Sequence, residues 1–459
     1  MKMTTSMLAM VVASLCCIVM PTQAASWYWF GNDTTVGGDG AWNFTDVAWR
    51  THPTDGIFTN WVAGNVPIFS GDPGTVTLES DIPVSQSMNV SANMTFDGPF
   101  CLQLSAGTHV TSASSTATVN CAVQLLYNAS IRYNYLINGN ISDDGNKRSI
   151  NHHFDTLTLN GSNSFGGGVL LNGGTLVIGN DHALGTGNLN LGYDGAVLKA
   201  GDGASTVTNV FKWNWNWRLN FEGDNDLTCT ATQTLAGTAA PWPRVNVAQP
   251  QATLTYGGFT RDTRFDTMMI KEGPGTFAIQ GAYDASFGTV VTGGTLIVNG
   301  ITTAPKNNYG YTVWPDASLG GMGTINMAAS GSTCSVYQAG ALAPGTHRAS
   351  SRVGTLTFNG PVNLNEGAVY KWDCQDGVGD LLKINGTLSL PAVATVVVSQ
   401  ISGELPDSSV VMTANALTGP GATDVSDWNV QGVRSFRTKV VDNTVVLERF
   451  TVGTVFKIR

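Results

Sequence analysis

Three tryptophans in the stretch FKWNWNWRLNF offer the most distinctive chemistry in this 459-residue chain. Trp213, Trp215 and Trp217 alternate with polar residues, so in an extended strand all three indoles lie on one face, about 7 Å apart. Indole rings can stack on sugar rings or on another apolar surface. We therefore predict an outward-facing aromatic ladder that contacts a carbohydrate or a protein partner. The alternative is that these rings pack beneath the irregular segment at residues 230–249.

Clustered carboxylates are the groups that a polysaccharide lyase or hydrolase needs, as general acid and base or as calcium ligands. The chain offers three pairs of neighbouring aspartates, namely Asp143 with Asp144, Asp224 with Asp226, and Asp376 with Asp380. Each pair lies beside Gly or Asn in a turn, where Asp is common for backbone reasons. We therefore predict no catalytic residues and a protein that is not an enzyme, with a β-helix lyase or hydrolase as the alternative.

Metal-binding side chains do not occur at ligand spacing. His152 and His153 are adjacent, so on a strand their rings point to opposite faces and cannot share one ion without a bulge. Five cysteines beyond the N-terminal segment show no zinc-site spacing. They are Cys101, Cys121, Cys229, Cys334 and Cys374. They are either small buried apolar residues or include one disulfide between Cys101 and Cys121. We predict no metal and no cofactor.

These residues belong to a chain built on a repeated unit. The stretch GTFAIQGAYDASFGTVVTGGTLIVNG at residues 275–300 matches DTLTLNGSNSFGGGVLLNGGTLVIGN at residues 155–180. In TLTLN, TLVIG, TFAIQ and TLIVN, apolar residues alternate with small polar ones at period two, which indicates short strands. The paired glycines of GGTL suit corners that need a positive φ. Because one unit cannot bury its apolar face alone, the copies must stack.

The sequence therefore predicts an all-β fold, a right-handed parallel β-helix of roughly 12 to 16 rungs with some 20 to 25 residues per rung. We place the repeats at residues 74–390. Residues 25–73 are rich in tryptophan and are predicted to cap the first rung, with a sugar-stacking surface as the alternative. Residues 391–459 are predicted to form a small β cap, in which Asp442 and Asn443 mark a hairpin.

Composition and the N-terminal segment restrict the partners. The chain is 12% charged, with 32 acidic against 23 basic residues, so a basic surface for nucleic acid is not expected. Residues 1–24 combine Lys2, an apolar run and small residues before Ala25, the pattern of a secretory signal. No later segment reaches the roughly 18 apolar residues needed to span a membrane. We predict a secreted or cell-surface protein, and leave the oligomeric state open.

The copy at residues 275–300, together with LGGMGTIN, GALAPG and GTLTFNG at residues 319–326, 340–345 and 354–360, resembles the autotransporter-associated β-strand repeat family, also called the passenger-associated transport repeat. The resemblance implies an exported, surface-associated bacterial β-helix and brings no catalytic residues. After residue 391 we expect only a small domain, so export is expected to rely on the signal peptide alone or on other machinery.

Taken together, these patterns predict a structural or adhesive surface protein whose solenoid contacts polysaccharide or matrix. A eukaryotic glycoprotein is a further alternative, since N-x-S/T triplets begin at Asn43, Asn89, Asn93 and Asn385. Asn, Ser and Thr are also the residues that β-turns favour, so such triplets arise in a turn-rich chain without glycosylation.

Overall fold

The protein is a parallel β-solenoid of about 13 turns, which confirms the predicted fold class. The computed structural model describes residues 24–31, 34–105, 107–203, 205–213, 218–235, 242–261, 268–286, 288–305, 309–327, 331–345 and 353–450. These residues form strands and one short 3-10 turn, Pro420–Ala422, and contain no α-helix. Residues 1–23, which carry the predicted secretory signal, lie outside the described residues. Each turn of the solenoid, or rung, visits up to three faces.

Face one runs along the whole solenoid, and its strands pair in parallel from rung to rung. Its strands are Gly40–Trp42, Gly74–Leu78, Met94–Asp97, Thr116–Val119, Asn134–Ile137, Thr156–Leu159, Thr175–Ile178, Ala196–Ala200, Arg218–Phe221, Arg244–Val247, Met269–Glu272, Thr289–Val291, Tyr311–Val313, Cys334–Val336 and Val362–Leu364. The later halves of Leu381–Ser389 and Ser408–Thr418 complete this face.

Face two is interrupted for two rungs near its middle. There the side-chain oxygens of Asn163 and Asp181 accept the backbone N–H groups of Ile141 and Thr206 in place of a strand partner. Its strands are Ile82–Val84, Cys101–Leu104, Ala122–Leu125, Ile141–Asp143, Ser205–Val207, Thr276–Ile279, Gly294–Val298, Ala317–Gly321, Ala341–Pro344, Val369–Gln375, Thr395–Ser402 and Asn429–Gln431. The first halves of Leu227–Leu235 and Thr253–Arg261 also belong to it, because both strands bend at a bulge and continue onto face three.

Face three begins near the N-terminus, and its strands pair in parallel as well. They are Ser26–Trp29, Val66–Phe69, Asn89–Val90, Thr108–Thr111, Ala129–Arg132, Ser149–His152, Gly168–Leu171, Leu189–Leu191, Phe211–Trp213, Thr324–Asn326 and Thr355–Asn359. Leu381–Ser389 and Ser408–Thr418 begin on this face before bending onto face one.

The core is a lumen filled by every second residue of each strand. On face one, Tyr135, Leu157, Leu176 and Leu198 occupy the same register position on successive rungs, and none exposes more than 3% of its surface. Their neighbours along each strand face outward and are polar or small, which is why the sequence alternates at period two. Stacking like residues on like positions buries the apolar side of every rung except at the two ends.

The two copies of the sequence repeat lie on different faces. In the first copy, Thr156–Leu159 and Thr175–Ile178 pair in parallel on face one. In the second copy, Thr276–Ile279 and Gly294–Val298 pair in the same way on face two. Each copy therefore spans slightly more than one rung. In each copy the GGTL block forms the corner before the last strand of that copy. Gly174 and Gly294 adopt positive φ at these corners.

The N-terminal end is closed by aromatic side chains. Trp29, Trp42, Trp49 and Trp61 are buried, with ring centroids 4.7 to 5.2 Å apart between Trp61, Trp49, Trp42 and Trp29. Trp27 packs edge-on against Trp61 at 5.8 Å. The short strands Trp49–Arg50 and Phe58–Thr59 pair antiparallel in the same segment. Because four of the five indoles are buried, their faces are not available to stack on a sugar ring.

At the other end, parallel stacking continues beyond residue 390. Thr395–Ser402 pairs with Val369–Gln375, and Asn429–Gln431 pairs in turn with Thr395–Ser402. An antiparallel hairpin of Phe436–Val441 and Thr444–Arg449 then packs on Ser408–Thr418. The predicted turn at Asp442 and Asn443 is confirmed, and Asp442 has a φ of 52°.

Residues 230–249 were predicted to form one long irregular insertion, and this prediction is wrong. The segment contains the end of Leu227–Leu235 and the whole of Arg244–Val247, so only residues 236–243 join two strands. In TCTATQTL the alternation of apolar and polar residues is weak, because most of the residues are small. Small residues nevertheless fit a pleated strand as well as larger ones do. Residues 236–241 lie outside the described residues.

Candidate functional site

Connections of unequal length collect at one corner of the solenoid. We call the junction from each face-three strand to the next face-one strand the loop corner. A single residue, Tyr133, forms it between Ala129–Arg132 and Asn134–Ile137. Residues 236–243 form it further along, before Arg244–Val247. Insertions that gather along one side of a repeat protein often make its binding face.

Four of the exposed aromatic side chains lie at the same corner. Phe154, Tyr193, Trp242 and Tyr309 expose 49%, 63%, 46% and 38% of their surface, and each lies two or three residues before the start of a face-one strand. Most tryptophans elsewhere in the described residues are buried in the lumen or the N-terminal cap. Burial in the core does not explain the exposed rings, so they are available for contact with another molecule.

One part of this surface is built on Tyr133 and Phe154. Their rings lie on adjacent rungs and stack with centroids 5.7 Å apart and planes 29° apart. The Arg132 guanidinium lies 6.0 Å from the Phe154 ring centroid, and His153 lies 6.2 Å from it. Tyr133 has a φ of 66°, a conformation that costs a non-glycine residue roughly 1 kcal/mol or more. Such a strained aromatic residue is a recognised mark of functional positions.

The charge of this patch is set by Arg132. Partial burial, and then the positive charge of Arg132, lower the pKa of His153 below its usual value. The His153 ring is therefore uncharged at neutral pH, and it adds a flat polar surface beside Phe154. The rings of Tyr133 and Phe154 and the guanidinium of Arg132 therefore lie side by side on the surface. Planar or hydroxyl-rich ligands use such a combination.

A gap follows Phe154 along the axis. The next rung turns the loop corner with Gly173 and Gly174, and a Cβ at Gly174 would lie 2.5 Å from the carbonyl oxygen of Asp155. Glycine is therefore required at that point, and the rung carries no side chain there. Tyr193 lies on the following rung, so two exposed rings flank a gap about 10 Å long. The surface alternates ring, gap and ring along the solenoid.

The predicted tryptophan ladder is placed differently. Trp213 ends Phe211–Trp213 and is 1% exposed, between the register positions of Leu191 and Leu235. Its ring packs edge-on against Phe259, with centroids 6.3 Å apart. The prediction that Trp213 faces outward is therefore wrong, because the lumen accepts an indole at this register position. Trp215 and Trp217 lie outside the described residues, and their role in binding stays a prediction.

The three aspartate pairs lie on widely separated rungs and support turns. Asp143 accepts N–H groups from Gly166, Gly145 and Arg148, and these bonds, that from Gly166 foremost, lower its pKa. The Arg148 guanidinium bonds Asp144 through two nitrogens and holds the pKa of that carboxyl well below its usual range. These two carboxylates therefore stay charged and bonded within their own turn.

Carboxylates of the other two aspartate pairs also accept hydrogen bonds from neighbouring residues. Asp224 accepts a bond from the Gln251 amide, and Asp226 accepts the N–H of Thr253. Asp380 is 1% exposed and accepts the N–H groups of Gly354 at 2.7 Å and Asp373 at 3.0 Å, while burial raises its pKa to about 8. Asp376 sits at the tip of its hairpin with a φ of 51°. The pairs do not converge on one groove.

The histidines and cysteines do not gather into one cluster among the described residues. His152 is buried and His153 is half-buried, so the predicted opposite orientation is confirmed. All five described cysteines are free thiols, four of them buried. Within the described part of the chain, no group of three or more His, Cys, Asp or Glu side chains is placed to hold a metal ion. That part also contains no helix long and apolar enough to cross a membrane.

Comparison with known proteins finds one kind of similarity. Over 180 residues the chain is 29% identical to a protein named Adhesin BmaC autotransporter, from Brucella suis biovar 1 (strain 1330). The match covers 38% of this chain and 5% of that protein, so the chain spans only a small part of its relative. No family model matches the chain. The similarity and the parallel β-solenoid agree loosely with the resemblance to autotransporter-associated repeats.

Proposed function

We propose that this protein is an exported, cell-surface β-helix of adhesin-like function, and that its loop corner contacts polysaccharide or matrix. The observation that carries the proposal is the group of exposed rings at Phe154, Tyr193, Trp242 and Tyr309, all on one corner of the solenoid. Aromatic faces bind the apolar faces of sugar rings without needing charge. A surface with few charges and several rings along one axis suits an extended ligand.

Two further points support the proposal. The relative of this chain is named as an autotransporter adhesin, although the match spans 5% of it, and a role in adhesion is carried over on that basis. Trp215 and Trp217 lie outside the described residues, and their alternation with polar residues in the sequence keeps both as predicted contacts. Trp213 is excluded because its indole is buried.

Binding by the mature protein to a glycan array identifies the ligand and tests the proposal. Replacing Phe154 and Tyr193 together by Ala removes two rings that fold into no core, so the melting temperature should stay within a few degrees of the original. Each ring contact is worth about 0.5 to 1.5 kcal/mol. Affinity for the captured glycan should therefore fall at least about fivefold in a titration.

Trp314→Ala is the matched control, because Trp314 is 51% exposed but lies at the corner between faces one and two. It should leave the affinity unchanged. The proposal is abandoned if the double variant binds as tightly as the parent, or if Trp314→Ala weakens binding as much as the double variant does.

A further inference from the structure

A cleft opens at the loop corner one rung beyond Tyr309. Its volume is about 550 Å³, and its lining includes Met327, Ser332, Asn359, Gly360, Pro361 and Asn385. Small-molecule sites in proteins commonly occupy 300 to 1,000 Å³. The cleft therefore continues the aromatic part of the corner with a concave, ligand-sized surface.

The polar side of the cleft is an asparagine ladder. Asn359 donates its side-chain N–H to the Asn326 amide oxygen at 2.7 Å, and Asn385 donates to the Asn359 amide oxygen at 2.7 Å. Asn326 in turn donates to the carbonyl of Thr302 at 2.6 Å. Each amide is thus held by its neighbour on the preceding rung. Side chains fixed in this way lose little conformational entropy when a ligand binds.

The ladder retains bonding capacity toward the cleft. An amide has two N–H donors and an oxygen with two lone pairs, so the donation by Asn385 leaves one donor and its oxygen for other partners. Asn385 is exposed and ends the ladder. Asn359 likewise uses one donor and one lone pair within the ladder. Both amides can therefore donate and accept simultaneously, as paired hydroxyl groups require.

The remaining lining is mostly apolar. Pro361 supplies partly exposed carbon surface, whereas Met327 is 7% exposed and forms the floor. Gly360 has a φ of 146°, and a Cβ there would overlap the Cβ of Met327, so glycine is required beside the amides. None of the lining residues carries a charge. A charged ligand would lose hydration there without gaining an oppositely charged partner, which costs free energy. A neutral ligand carries no charge to desolvate, so it avoids this cost.

We propose that this cleft is a subsite for a neutral saccharide unit, with its hydroxyl groups on Asn359 and Asn385 and its carbon face on Pro361. The subsite deepens the proposed function and rests on it. The loop corner then holds an extended glycan by rings along its middle, and the cleft selects an uncharged sugar at the C-terminal part of the same corner.

The experiment is saturation-transfer NMR on the full mature chain with four neutral disaccharides, cellobiose, maltose, lactose and N,N′-diacetylchitobiose, and with digalacturonic acid as the charged comparator. At least one neutral disaccharide should bind, and more tightly than the charged one. Asn385→Ala should weaken that binding about fivefold or more, as the loss of one or two hydrogen bonds predicts.

Asn160→Ala is the matched control. Asn160 is exposed and ends a second ladder, donating to the Asn138 amide oxygen at 2.8 Å on another corner. Its removal should leave disaccharide binding unchanged, and both variants should keep the parent's circular dichroism and melting curve. The subsite is wrong if no neutral disaccharide binds at millimolar concentration, if digalacturonic acid binds best, or if the two variants behave alike.

The subsite and the proposed function fail separately. Disaccharide binding that depends on Asn385, with glycan-array binding that survives loss of Phe154 and Tyr193, overturns the aromatic contact and leaves the subsite. Polymer binding that depends on Phe154 and Tyr193, with no effect of Asn385→Ala on disaccharides, overturns the subsite alone.

Discussion

At the scale of single residues, the lumen admits polar rings as well as aliphatic chains. His109 is 1% exposed on Thr108–Thr111, and neither of its ring nitrogens has a hydrogen-bond partner among the described residues. Burial alone lowers the pKa of His109 to about 4. Ile131 separates it from His152, whose pKa is lowered by burial as well. Both rings are therefore held neutral inside the solenoid.

This burial makes stability depend on pH. The pKa of His109 is lower in the folded chain, about 4, than in the unfolded chain, about 6.5, so the unfolded chain takes up the proton first. The contribution of His109 to stability is fully present above pH 6.5 and is lost as the pH falls toward 4, by about 3 kcal/mol. We expect His109→Leu to remove that loss, in denaturant titrations at pH 7, 5.5 and 4.5.

The quantity to compare is the difference between variant and parent at each pH, because Asp380 titrates in the opposite sense. Its raised pKa, about 8, means that its contribution weakens as the pH rises from about 4 to 8. His182→Gln serves as control, since His182 is exposed. A constant difference between His109→Leu and the parent across this pH range would contradict the assignment.

Residue identity also shows where sequence reasoning reached its limit. Alternation placed Trp213 on the same side of a strand as its neighbours at period two, of which Phe211 is described and also buried. It gave no indication of which side faced the lumen, because Lys212 and Asn214 fit the outside and an indole fits either side. The decision came from Leu191 and Leu235 on the adjacent rungs, a register that only the folded chain reveals.

At the scale of elements, corners decide how closely rungs stack. Gly257, Gly281, Gly300 and Gly323 occupy one corner on successive rungs, and a Cβ on any of the last three would overlap the backbone oxygen of the glycine before it. Gly300 does not have a positive φ, so its requirement is close approach alone. Because these glycines lack a Cβ, adjacent rungs can remain one strand spacing apart where the chain bends.

Gly300→Ala should therefore destabilise the fold by roughly 2 kcal/mol or more, because the backbone must shift in two rungs. Gly195→Ala is the comparison. Gly195 has a φ of 81° and open space around its Cβ position, so only conformational strain of about 1 to 2 kcal/mol is expected. Equal free energies of unfolding for Gly300→Ala and the parent would show that this corner is not tightly packed.

Elements were predictable where a local pattern sufficed. Period-two alternation and GGTL indicated short strands joined by glycine corners, and the unit size required stacking, so the solenoid followed from the sequence. The assignment of strands to faces did not follow. All corners require similar backbone conformations. The same GGTL block can therefore lead into a face-one strand after Gly174 and into a face-two strand at Gly294. The loop corner, which depends on that assignment, could be recognised only in the fold.

For the whole molecule, about 13 turns at roughly 4.8 Å each give a rod about 60 Å long. Such a rod ends in unpaired strands that can pair with another chain. The buried tryptophans close one end. At the other, Thr444–Arg449 runs antiparallel to Ser408–Thr418 and occupies its open edge, so that this edge no longer offers a parallel register to a further rung.

We therefore expect a chain truncated after residue 435 to self-associate, because the edge of Ser408–Thr418 becomes available for strand pairing. Sedimentation velocity at increasing concentration measures this. A chain truncated after residue 450 keeps the hairpin and should sediment like the full-length protein. If truncation after residue 435 leaves the sedimentation coefficient independent of concentration and the circular dichroism unchanged, the hairpin is not the cap. The blocking element must then be the bend at Pro420–Ala422, which packs its buried Gly421 against Pro391 beside the same strand.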